Sequence, residues 1–168
     1  MAGTREREEK PELNWVHIGA GTPEGNMGRI FNEMNRRFGN EIRLNLTSMV
    51  GGRIQRFRPL AQEKGAGKAV KEGVEDAPLS VDVVTVHADD YIQAAMALAR
   101  LDLIGGSMAQ APIIVHLKND AGARVLLNHL RVRKITHGDD VEQKLVTQVH
   151  RQVLSSRWPR LFPSPPKA

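Results

Sequence analysis

Ten lysines and arginines fall between Arg29 and Lys71, against only Glu33, Glu41 and Glu63 in the same stretch. That surplus of seven exceeds the surplus of five carried by the whole 168-residue chain, so the basicity is local. A concentrated positive field is the footprint of a polyanion-binding surface, because neutralised phosphates release their condensed counterions. The candidate phosphate contacts are Arg29, Arg36, Arg37, Arg43, Arg53, Arg56, Arg58, Lys64 and Lys68, with Lys71 closing the run. In Arg53–Arg58 (RIQRFR) a strand's period of two puts Arg53, Gln55 and Phe57 on one face. Such a face offers a phosphate contact, a base-edge contact and, through Phe57, a stacking plane. Arginine outnumbers lysine, which favours forked phosphate contacts over a diffuse cationic tail. Seven aromatic residues are too few for a row of stacked bases, so phosphate tracking is expected. The bland alternative is a solvated surface whose arginines are paired with carboxylates.

A second pattern is Gly19-Ala20-Gly21-Thr22-Pro23-Glu24-Gly25, which follows an apolar run and opens a helical one. Glycines in that setting let backbone N–H groups approach a phosphate, so Gly19, Gly21 and Gly25 are weak cofactor-site candidates. Glu24 and the lack of an acid near Asn45–Ser48 speak against a nicotinamide dinucleotide. No cofactor is therefore expected, and a tight strand-to-helix turn accounts for the glycines equally well.

Third come two His-x-Asp-Asp runs, at His87–Asp90 and His137–Asp140. Imidazole with carboxylates can hold a divalent metal, which makes His87, Asp89 and Asp90 weak metal candidates. Both runs precede predicted helices, where aspartate is favoured as a cap without any chemistry. His17 and His116 lie inside apolar strands and read as satisfied sheet histidines. No G-x-S-x-G elbow or P-loop is present, and with no cysteine there is no thiolate nucleophile, disulfide or cysteine-ligated metal.

The elements that must position these groups follow from periodicity. Asn14–Ala20 reads as a strand, and a helix follows with Thr22 as cap and Pro23 at its first position. Met27, Ile30, Phe31, Met34 and Phe38 form that helix's apolar face, and Gly39-Asn40 ends it. Glu41–Val50 alternates as a strand, and Gly51-Gly52 turns it into a hairpin with Arg53–Phe57. From Arg58 to Leu79 no periodicity survives, which predicts a flexible loop. Ser80–Val86 is a strand, and the next helix, capped by Asp89 or Asp90 and running to about Ile104, is apolar nearly all round. It is therefore expected to be the most buried one. Ala111–Leu117 is a strand, a short helix follows Asn119-Asp120, and Leu130–Ile135 is a basic strand. Asp139 and Glu142 predict a capping box for the last helix.

These elements predict an α/β (or α+β) fold: a mixed sheet of about five to six short strands with three to four helices largely on one face. The strand–helix–strand units near 15–46 and 82–117 should each hold parallel strands. The expected organisation is a mobile polar arm at 1–13, one domain over 14–157 with a flexible insertion at 59–79, and a mobile Pro-rich tail at 158–168. The charged N-terminus has no apolar signal core and no apolar run is long enough to span a membrane, so a cytoplasmic location is expected. The function so indicated is non-enzymatic binding of nucleic acid, DNA or RNA, by the Arg-rich segment. The alternatives are an assembly subunit that forms a homo-oligomer or docks a protein partner, and a small enzyme with a phosphate-binding Gly-rich turn.

Overall fold

β1 (Glu12–Ala20) is the first strand among the described residues and lies in the middle of the sheet. A computed structural model describes residues 10–20, 25–50, 53–59, 69–73, 80–104, 110–129 and 131–163. After β1 come α1 (Gly25–Phe38), β2 (Arg43–Val50), β3 (Arg53–Pro59), β4 (Ala69–Gly73), β5 (Val83–Ala88) and α2 (Tyr91–Ile104). β6 (Ile113–Leu117), a 3₁₀ turn (Ala123–Asn128), β7 (Val132–His137) and α3 (Val141–Val149) complete the order. α3 runs on through a wider π-helical turn (His150–Leu154) into Ser155–Arg157. The Thr22 cap and Pro23 lie outside the described residues, as does the arm before Lys10.

The seven strands form one sheet in the order β4-β3-β2-β1-β5-β6-β7. β2, β1, β5, β6 and β7 are all parallel, while β3 and β4 return antiparallel beyond β2. The two expected strand–helix–strand units are present, and each joins parallel neighbours. The fold is thus α/β, with a mixed sheet.

Two hydrophobic clusters flank the sheet. One holds Leu13, Trp15, Leu44 and Leu46 from the strands against Ile30, Phe31 and Met34 of α1 and Leu145 and Val149 of α3. Trp15 stacks on Phe31 with ring centroids 6.4 Å apart. The other holds Val16, Val84, Val86, Ile113 and Val115 against Ala94, Leu98 and Leu101 of α2 and Leu126 of the 3₁₀ turn. Each buried aliphatic or aromatic side chain contributes about 1.5–3 kcal/mol. The parallel strands are nearly continuously apolar because both their faces are covered.

The α1 face matches its periodicity: Met27, Ile30, Phe31, Met34 and Phe38 are all buried. Gly39 follows the helix at a position only glycine fits, since a Cβ there would sit 2.5 Å from the carbonyl oxygen of Asn35. Several expectations are corrected. The helices cover both faces, α1 and α3 on one and α2 with the 3₁₀ turn on the other, rather than gathering largely on one. The stretch expected as a loop from Arg58 to Leu79 holds β4, which makes a seventh strand. α2 is not the most buried helix, since Ile92, Met96 and Leu103 face outward. Asp139 caps nothing: the residue before α3 is Asp140, in the left-handed region at φ 60°, with no side-chain cap bond. The tail is docked at its start, where Phe162 is buried against Phe38 and His150.

Candidate functional site

Strand alternation carries the α1-facing side of the sheet from apolar to polar along its length. On β1, Leu13 and Trp15 enter the α1 cluster, and two and four residues later His17 and Gly19 continue the same face. Val83 on β5 is followed likewise by Thr85 and His87, and Ile114 on β6 by His116. The register aligns them in two rows. Ser48, His17 and Thr85 are neighbours in the first. Gly19, His87, His116 and Thr136 are neighbours in the second, one step nearer the strands' carboxyl ends.

The first row is satisfied. Trp15 Nε1–H donates to Thr85 Oγ1 at 2.7 Å, and that hydroxyl sits 2.7 Å from His17 Nδ1. Complete burial, with a smaller effect of His87, pushes His17 down to about 3. In the second row His116 is held at both nitrogens. Its Nε2–H donates to the Gly138 carbonyl at 2.9 Å, so Nδ1 accepts from the Thr136 hydroxyl at 2.8 Å. Burial lowers the His116 pKa, partly offset by the Gly138 bond.

His87 is different. It is only 6% exposed, its ring meets that of His116 edge-on at 5.4 Å, and its Nδ1 has no hydrogen-bond partner. Burial, reinforced by His116, pushes its pKa down to about 4. Its register neighbour on β1 is Gly19, which presents no side chain. A buried ring nitrogen without a partner, in register with a glycine, is the one unsatisfied polar position in the histidine rows.

This position coincides with the sheet's topological switch point. From β1 the chain passes to α1 on one face, and from β5 to α2 on the other, so the two connections diverge above the carboxyl ends of β1 and β5. In open α/β sheets that divergence forms the crevice in which ligands bind. Of the predicted glycines, Gly19 lies on β1 at this point, Gly25 is the first residue of α1, and Gly21 lies outside the described residues. β2 ends in Ser48-Met49-Val50, so it brings no carboxylate for a ribose hydroxyl.

The predicted metal candidates separate. Asp90 Oδ1 accepts from the Gln93 N–H at 3.0 Å and Gln93 Oε1 accepts from the Asp89 N–H at 3.3 Å, a reciprocal cap on α2. His137 pairs with Asp120 at 3.4 Å. Among the described residues no group of three His, Asp or Glu could hold a metal ion.

The basic residues are strung out along the sheet. Arg29 lies outward on α1, and Arg36 and Arg37 about 10 Å further along the helix axis. Arg36 grips the buried carboxylate of Glu33 with two bonds of 3.1 and 2.6 Å, and Arg37 Nε adds a third at 2.7 Å. The Arg36 hydrogen bond leads in holding the Glu33 carboxyl below its usual range. Arg37 also donates to Thr147 at 3.0 Å and to Gln143, tying α1 to α3. Arg43, at the opposite end of β2 from Arg53, pairs with Glu12 at 3.2 Å. Arg53, Arg56, Phe57 and Arg58 lie on β3, where Arg53 registers with Val50 and Phe57 with Leu46; Lys71 on β4 registers with Phe57. Lys64 and Lys68 lie outside the described residues.

Comparisons with protein-family models, curated proteins and solved structures find no match to this chain. Among the described residues no helix is long and apolar enough to cross a membrane.

Proposed function

We propose that this chain binds a nucleotide or a similar phosphate-bearing small molecule in the crevice above the carboxyl ends of β1 and β5. The observation that carries the reading is the buried, unpartnered Nδ1 of His87 beside Gly19, at the switch point of a parallel sheet. A polar atom so placed is stabilised when a ligand supplies its missing bond. The start of the fourteen-residue α1, with Gly25 as its first residue, supplies backbone N–H groups and the dipole for the phosphate. The missing carboxylate at the end of β2 favours a ligand other than one with a free ribose diol held there. The cysteine-free composition suits a reducing compartment such as the cytoplasm.

Thermal unfolding with ATP, ADP, NAD and NADP at millimolar concentration tests this. Ligand at about a hundredfold its Kd stabilises by about 2.7 kcal/mol, a shift of several degrees. At least one member should raise the midpoint, and Gly19→Val should abolish the shift by placing a branched side chain in register with His87. No shift with any of the four ligands sinks the reading.

Nucleic-acid binding is the second reading, favoured by the outward position of Arg29, Arg36 and Arg43 along α1 and the start of β2. Pairing of Arg36, Arg37 and Arg43 with carboxylates weakens it, because a phosphate must compete with each. Fluorescence polarisation of duplex and single-stranded probes at low and physiological salt separates the two. Phosphate tracking gives steep loss of affinity with salt.

A further inference from the structure

We infer that the outer face of α2 is the contact surface of a homodimer, in which two copies of the chain pack α2 against α2 antiparallel about a two-fold axis. Ile92, Met96, Ala99 and Leu103 succeed one another at steps of four, three and four residues, and all four are exposed. At 100° per residue they fall in an arc of about 60°, the seam of a two-helix coiled coil. Ile92 is 55%, Met96 57% and Leu103 87% exposed, while Ala94, Ala97, Leu98 and Leu101 on the other side are buried against the sheet. Val125 and Leu127 of the neighbouring 3₁₀ turn, each about half exposed, widen the patch. A helix apolar on both sides is one that is covered on both sides.

The stripe supplies its own complement, which is what identifies the occupant as a second copy. With the two-fold axis midway between Met96 and Ala99, Met96 lies against Ala99 of the partner subunit, and Ile92 against Leu103 of the partner subunit. The large side chain meets the small one at the centre, and the branched pair closes each end. The flanks agree in charge. Arg100 falls opposite Gln93 of the partner subunit, and Asp102 opposite Ala95 of the partner subunit, so no like charges meet. Asp102 is already paired at the rim with Arg131 at 2.9 Å and hydrogen-bonded to His129 at 3.2 Å. Antiparallel packing also opposes the two helix dipoles. The contact is isologous and closes at two subunits.

Sedimentation velocity tests the dimer over a concentration series from low to several hundred micromolar. The expected species has twice the 18.6 kDa chain mass and dissociates on dilution. Met96→Glu should give a monomer whose unfolding midpoint no longer depends on concentration and equals that of the unsubstituted chain diluted to its monomer, because Met96 is more than half exposed and outside the buried core. The geometry is read by cysteine pairing, which the cysteine-free chain makes clean. Met96→Cys and Ala99→Cys chains, mixed and oxidised, should form the mixed disulfide faster than either forms its own. A monomer throughout the series, a dimer indifferent to Met96→Glu, or cross-linking dominated by self-pairing each overturns the proposal.

Discussion

Thr85 on β5 bridges Trp15 and His17 on β1. The Thr85 hydroxyl receives Trp15 Nε1–H at 2.7 Å and shares a second hydrogen bond of 2.7 Å with His17 Nδ1. Three buried polar groups from two strands are closed by one oxygen. Thr85→Val keeps the shape but leaves the indole N–H and the imidazole unmatched. It should destabilise by about 2–4 kcal/mol, at about 1–3 per orphaned group with partial relaxation, measured by urea unfolding.

The buried histidines also set the acid limit. His17 and His87 have folded-state values near 3 and 4, below the ordinary 6.5, so the unfolded chain takes up protons first as pH falls. Stability should be level above about pH 7, decline from about 6.5, and go on declining until the folded-state values are reached. At pH 5 each of the two should subtract about 2 kcal/mol relative to neutral pH. His17→Gln should flatten the slope of unfolding free energy against pH between about 6.5 and 4, whatever it does to stability at neutral pH. An unchanged slope would contradict the neutral, buried state of His17.

Arg37 holds α1 to α3 through Thr147 and Gln143 while sharing the Glu33 carboxylate with Arg36. Arg37→Ala should therefore lower stability by about 1–3 kcal/mol, and Arg29→Ala should leave it within about 0.5. If the basic segment binds nucleic acid, the order reverses in a polarisation assay. Arg29→Ala should then weaken binding while Arg37→Ala barely changes it.

Phe162 sits edge-on to Phe38 at 5.3 Å and closes the first hydrophobic cluster from the C-terminal side. Phe162→Ala should cost about 3 kcal/mol, and deletion from Leu161 onward at least as much. A tail without structural duty would tolerate both, as thermal unfolding will tell.

Legibility followed periodicity. The α1 face and the strand alternations could be read because each repeats over several turns or residue pairs. β4 could not, because Ala69-Val70-Lys71-Glu72-Gly73 is short, lies at the sheet edge and carries residues that do not favour strands. In α2 the residue types are alike on both sides, so sequence alone does not say that Leu98 faces the sheet and Leu103 faces out. Phe162 was hidden among prolines. The Glu33 pairing was open to reading, since arginines stand three and four residues beyond it. For the site, the glycines and His87 were visible as separate motifs. What joins them is the register of β1 with β5, a relation between residues almost seventy positions apart that no local pattern encodes. The unsatisfied nitrogen of His87 follows only from that neighbourhood.

β1 is flanked on one side by β2, thirty residues downstream, and on the other by β5, some seventy downstream. Of the described strands, β1 is thus the one that waits longest for its second neighbour. Until β5 has been synthesised, Trp15 and His17 lack the Thr85 hydroxyl they share, and β1 keeps an open edge available to other nascent chains. Expression of the first seventy-three residues alone should accordingly yield inclusion bodies, and supplying the remainder as a separate polypeptide should rescue them.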